Sequence, residues 1–97
     1  METNEKEGFH LLLRALVSLQ DESECEAFLE DLMTRKEIAD VAQRLLVAKM
    51  LSEQAVYNRI VEQTGASTAT ISRVNRSYHY GSGGYEKILK RLDEEKA

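Results

Sequence analysis

The stretch Thr64-Gly65-Ala66-Ser67-Thr68-Ala69-Thr70-Ile71-Ser72-Arg73-Val74-Asn75-Arg76 decides how the chain is read. It follows Val56-Tyr57-Asn58-Arg59-Ile60-Val61-Glu62-Gln63, and together they have the pattern of two helices crossing through a short turn. Such a turn needs one residue that accepts a positive φ, and Gly65 does so without a steric cost. Ile60 before the turn, with Ala66, Ile71 and Val74 after it, are spaced so that both helices bury a shared face. Ser67 or Thr68 is placed to cap the second helix. The spacing predicts a helix-turn-helix over about residues 56–78, with its second helix at about 67–78. Val61, four residues before Gly65, is bulkier than the small residue that close helix contact favours there.

The outer face of that second helix then holds Thr68, Ala69, Ser72, Arg73 and Arg76. Short hydroxyl- and methyl-bearing side chains let a helix approach base edges in the major groove, where Thr and Ala methyls can meet thymine methyls. Arginines one turn later reach phosphates or guanine, and the helix N-terminus favours a phosphate. The candidate DNA-binding residues are therefore Ser67, Thr68, Ala69, Thr70, Ser72, Arg73 and Arg76, and the candidate partner is double-stranded DNA.

Charge is segregated along the 97 residues, whose net charge is −4. Residues 1–33 carry Lys6 and Arg14 against nine carboxylates, a balance of −7. Residues 66–92 carry Arg73, Arg76, Lys87, Lys90 and Arg91 against Glu86 alone, a balance of +4. An acidic total works against binding a polyanion. Fields are screened over about 8–10 Å, however, so a basic third held apart from an acidic third can still face a duplex.

The remaining elements also read as helices. Apolar residues are 42% of the chain and there is no proline, which suits helices. Phe9-His10-Leu11-Leu12-Leu13-Arg14-Ala15-Leu16-Val17-Ser18-Leu19 is apolar almost all round a helix, more than so short a chain can enclose by itself. Burial against a second copy is the simplest solution, so this helix is expected in the core of a homodimer. Gln20-Asp21-Glu22-Ser23 is a break, after which Cys25, Phe28, Leu29 and Leu32 mark a second helix. Thr34 and Glu37 fit a capping box opening a third helix, with Ile38, Val41, Ala42, Leu45, Ala48 and Leu51 on one stripe, closed by Ser52-Glu53-Gln54. Tyr85, Ile88, Leu89 and Leu92 mark the last helix, after a Gly81-Ser82-Gly83-Gly84 connector that Tyr78, Tyr80 and Tyr85 are expected to pack down. The expected fold class is all-α, a six-helix subunit containing the helix-turn-helix, in one domain over 1–97.

Several functions are excluded on composition. No uninterrupted apolar run approaches the ~20 residues of a spanning helix, and the polar, acidic start does not read as a targeting peptide, so a cytoplasmic protein is expected. A lone Cys25 excludes an internal disulfide or a multi-thiolate zinc site. His10 and His79 are too isolated for a metal site, and no nucleophile–base–orienter set is present, so no metal, no cofactor and no enzymatic activity is expected. The glycine-rich connector lacks the closing Lys-Ser/Thr of a phosphate loop and follows no strand.

The string from Thr64 to Arg76, followed by Tyr80-Gly81 and Gly84-Tyr85, resembles the Trp repressor family, in its YerC/YecD-type branch. The resemblance extends through Glu24-Cys25-Glu26, Phe28-Leu29-Glu30-Asp31-Leu32 and Gln43-Arg44-Leu45, and so covers nearly the whole chain. It implies an intertwined homodimer that presents two helix-turn-helix units to successive major grooves, with half-sites about 34–36 Å apart. It also implies a possible effector pocket, since Thr34, Arg44, Arg73 and Ser77 occupy places matching those that line the amino-acid site in the tryptophan-binding member. Two departures argue against tryptophan: Val74 stands where that member has a glycine, and Asp31 replaces a pocket leucine. Arg44 and Arg73 can take another carboxylate, or Arg73 can serve a phosphate. The competing expectation is a helical dimeric interaction module that binds no DNA and recruits a partner through its acidic first third.

Overall fold

A computed structural model describes residues 2–96. They form six helices: α1 (Thr3–Ser18), α2 (Glu22–Leu32), α3 (Arg35–Ser52), α4 (Tyr57–Thr64), α5 (Thr68–Tyr80) and α6 (Gly84–Lys96). Among the described residues there is no strand, and no helix is long and apolar enough to cross a membrane. The helices group into two compact units, the first ending at Arg35 and the second starting at Lys36.

In the first unit, α1 begins six residues before the apolar run that marks it, because nothing in the polar stretch from Thr3 to Gly8 breaks a helix. The break before α2 is an N-cap: the Glu24 N–H donates to the Asp21 carboxylate at 2.8 Å. Glu22 and Glu24 in the first turn suit the positive end of the helix dipole. Neither α1 nor α2 contains a buried residue. Phe9, Leu11, Leu13, Leu16 and Val17 are all exposed, Val17 at 86%.

The second unit holds the core. α3 starts one residue after Thr34, and it stops in a closed turn in which the Ala55 N–H donates to the Met50 carbonyl and the Gln54 N–H to that of Leu51. Those two bonds form a Schellman motif, with Gln54 at φ 64° in the position that usually holds glycine. The buried side chains are Val47, Ala48 and Met50 of α3, Ile60 of α4, Ala66 of the turn, Ile71 and Val74 of α5, and Leu89 of α6. Burial of Ile60, Ile71 and Val47, each wholly enclosed, contributes about 1.5–3 kcal/mol apiece.

This core differs from the expected stripe on α3. Only Ala48 of that stripe is buried, while Val41, Ala42 and Leu45 are exposed. The buried face of α3 lies nearer its C-terminus and includes Val47 and Met50, because that end is where the buried residues of α4 and α5 cluster. The connector also departs from expectation. Tyr78 and Tyr85 pack against the core, but Tyr80 is 87% exposed and packs nothing down.

Candidate nucleic-acid interface

Three residues, Gly65 to Ala66 to Ser67, separate α4 from α5. Gly65 adopts φ 73°, ψ 4°, the left-handed conformation the sequence demands of it, and its N–H donates to the Val61 carbonyl at 2.9 Å. Val61 is accommodated half-buried against the core, so its bulk does not prevent the turn. The Thr64 hydroxyl then locks the turn from both sides. It donates to the Ile60 carbonyl at 2.7 Å and accepts from the Ala66 N–H at 3.1 Å. Gln43 adds a tie from α3, its Nε2 donating to the Thr64 carbonyl at 3.0 Å.

Of the two candidate caps for α5, Ser67 is the one used. Its Oγ accepts from the Thr70 N–H at 3.1 Å, and its hydroxyl donates to Thr70 Oγ1, also at 3.1 Å. From that cap α5 runs for 13 residues, about 20 Å at 1.5 Å per residue, and ends two residues beyond the expected C-terminal limit of about 78. Ile71 and Val74 point into the core. Ser67, Thr68, Ala69, Ser72, Arg73 and Arg76 are exposed. Periodicity sets Thr68, Ala69, Ser72 and Arg76 on one side of the helix, opposite the buried pair. There is no carboxylate anywhere in α5, so Arg73, Arg76 and the positive end of the helix dipole set the sign of its field.

Thr70 stands apart from the other candidates. It is half-buried, engaged by Ser67, and lies seven residues from Ser77, hence on the same side of α5 as that residue. Both line a cavity of about 320 Å³ whose other walls are Arg44, Arg73, Val74 and Tyr85. The structure therefore brings together Arg44, Arg73 and Ser77 of the possible effector pocket. Thr34 belongs to the first unit, where it is exposed at the residue before α3. Val74 is 3% exposed, so its branched side chain occupies space that a glycine would leave open. Asp31 is exposed on α2.

Sequence reasoning missed Gln43 and Tyr85. The Gln43 bond spans 21 residues and no local pattern announces it. The helical spacing of Thr70 and Ser77 was the available signal that one side of α5 faces a cavity. Among the described residues, no three His, Cys, Asp or Glu side chains gather where a metal ion could be held.

An all-α chain whose left-handed glycine turn leads into a serine-capped helix with an uncovered hydroxyl and guanidinium face is a helix-turn-helix protein. The chain belongs to the Trp repressor family: the family model described as Trp repressor protein matches residues 7–93. The members of that family are regulators rather than enzymes. The chain is 51% identical over 83 residues to the uncharacterized protein YerC of Bacillus subtilis, covering 86% of this chain and 80% of that one. It is also similar to the crystal structure of a TrpR-like protein from Eubacterium eligens, with a TM-score of 0.86 and 49% identity over 90% of both chains. A Staphylococcus aureus structure, described as a candidate Trp repressor, aligns with the same TM-score at 41% identity over 96% of each chain.

Proposed function

We propose that this chain is a sequence-specific DNA-binding transcription regulator of the cytoplasm that acts as a homodimer through α4 and α5, without regulation by tryptophan. The observation that carries the reading is the exposed face of α5: Thr68, Ala69 and Ser72 stand clear of the core, followed by Arg73 and Arg76, with no carboxylate on the helix. Thr68, Ala69 and Ser72 meet base edges, Arg76 meets a phosphate, and Arg73 serves a phosphate or a base. Ser67 and Thr70 contribute from the first turn, chiefly by fixing its geometry through their mutual cap.

The homodimer is supported by the apolar surface that one chain leaves uncovered, Leu11, Leu13 and Leu16 in α1 and Val41, Leu45 and Leu46 in α3. A second copy burying those faces would complete 1–97 as one domain and set two reading helices on a two-fold axis. The cavity beside Arg44 and Arg73 supports a site for a small carboxylate or other anion, and buried Val74 argues against an indole there.

Gel shifts with two variants test the assignment. Arg76→Ala should weaken binding to all sequences and reduce the salt slope by about one unit, as loss of one phosphate contact does. Ser72→Ala should instead alter preference among sites. If neither change affects binding, α5 is not the reading helix. The interaction-module alternative predicts no salt-sensitive retention on random-sequence DNA even at low ionic strength.

A further inference from the structure

We propose that Gln43 is a positioning residue for the reading helix, fixing the pose of the turn between α4 and α5 from its seat on α3; this rests on the DNA-binding reading above. The amide of Gln43 is a long-range tie onto the turn: Nε2 donates at 3.0 Å to the carbonyl of Thr64, the last residue of α4, and the contact is partly buried. The carbonyl it holds belongs to the residue whose own hydroxyl bridges Ile60 and Ala66. A pull on Thr64 is therefore transmitted to the peptide that leads into Ser67, the cap of α5.

Ile60, Ala66, Ile71 and Val74 pack through apolar contacts, which are non-directional and tolerate small rotations. A directional bond from α3 removes that freedom at the point where the chain changes direction. Base readout requires side chains held in register against base edges, whereas non-specific attraction to phosphates requires only charge nearby. Losing the bond should consequently loosen the turn and blunt discrimination among sequences, while leaving charge-driven binding in place.

The test uses the full chain with Gln43→Leu, which removes the donor at similar bulk, and Gln43→Glu, which keeps the shape but turns an acceptor toward the carbonyl. Two quantities are read well below the melting temperature. The first is amide hydrogen exchange at Gly65 and Ala66 against Ile71 and Val74. The second is affinity for a random-sequence duplex and for the duplex that the wild-type chain enriches from a random pool. A bond worth about 1 kcal/mol corresponds to roughly fivefold. Exchange at Gly65 and Ala66 should accelerate about fivefold with the core amides unchanged, and affinity for the enriched duplex should fall by a similar factor with random-sequence affinity unchanged. Unchanged exchange at Gly65 and Ala66 overturns the role of Gln43, whatever the DNA result. Faster exchange with undiminished preference for the enriched duplex overturns it too, leaving the bond merely structural. If the wild-type chain binds neither duplex at low salt, the DNA-binding reading fails and the proposal falls with it.

Discussion

Replacing Gly65 by alanine isolates the cost of the turn. The backbone there sits at φ 73°, and an added Cβ would find no atom within 4 Å, so no collision contributes. What remains is the left-handed conformation itself, about 1–2 kcal/mol for a residue with a Cβ, partly offset by the lower unfolded-state entropy of alanine. The net expectation is a loss of about 1 kcal/mol, or about 4–8 °C in Tm for a domain of this size. Asparagine tolerates the same conformation, so Gly65→Asn should recover part of that loss. Gly81 provides the contrast. Its φ of −88° is ordinary, but a Cβ would collide with the Ser77 carbonyl oxygen, the same atom that accepts its N–H at 2.9 Å. Gly81→Ala should cost about 1–3 kcal/mol by forcing the last turn of α5 open, and Gly81→Asn should be no better, since it carries the same Cβ. Thermal melts followed by circular dichroism at one fixed protein concentration measure all four. Equal effects of alanine and asparagine at Gly65, or a neutral Gly81→Ala, would refute this account of the two glycines.

Three other outcomes are expected. Gln54→Gly should raise Tm by a few degrees, because Gln54 at φ 64° occupies the closing position of the Schellman motif without being glycine; denaturant unfolding checks the sign. Leu11→Glu should shift the sedimentation of the chain from dimer to monomer with its helicity retained, since Leu11 is 64% exposed on one chain and is assigned to the partner contact. Calorimetric titration with L-tryptophan should show no micromolar binding, and such binding would contradict the part assigned to Val74.

How far the sequence alone carries depends on whether a feature is local. The helix-turn-helix is read correctly because a positive-φ glycine, an N-cap serine and the spacing of Ile60, Ile71 and Val74 all lie within one short window. The start of α2 is likewise announced by Asp21. On α3, periodicity identifies a helix but not which of its faces is covered. Val41 and Leu45 are as apolar as Val47 and Met50, and only the position of α4 and α5 decides between them. Tyr80 shows the same limit, since an aromatic beside a connector has no local reason to be 87% exposed. Within the site, the outward residues of α5 follow from helical spacing. The placement of Arg44 with Arg73 and Ser77 around one cavity came only through the resemblance, and the Gln43 tie came through neither route.

The claim on which the account stands is that the exposed face of α5 is the surface that meets DNA. Backbone amide NMR of the labelled chain during addition of a random-sequence duplex at low salt tests it residue by residue. The account predicts shifts concentrated at Ser67, Thr68, Ala69, Ser72, Arg73 and Arg76, fading as salt is raised. Shifts confined to other helices, or none at low salt, would contradict it.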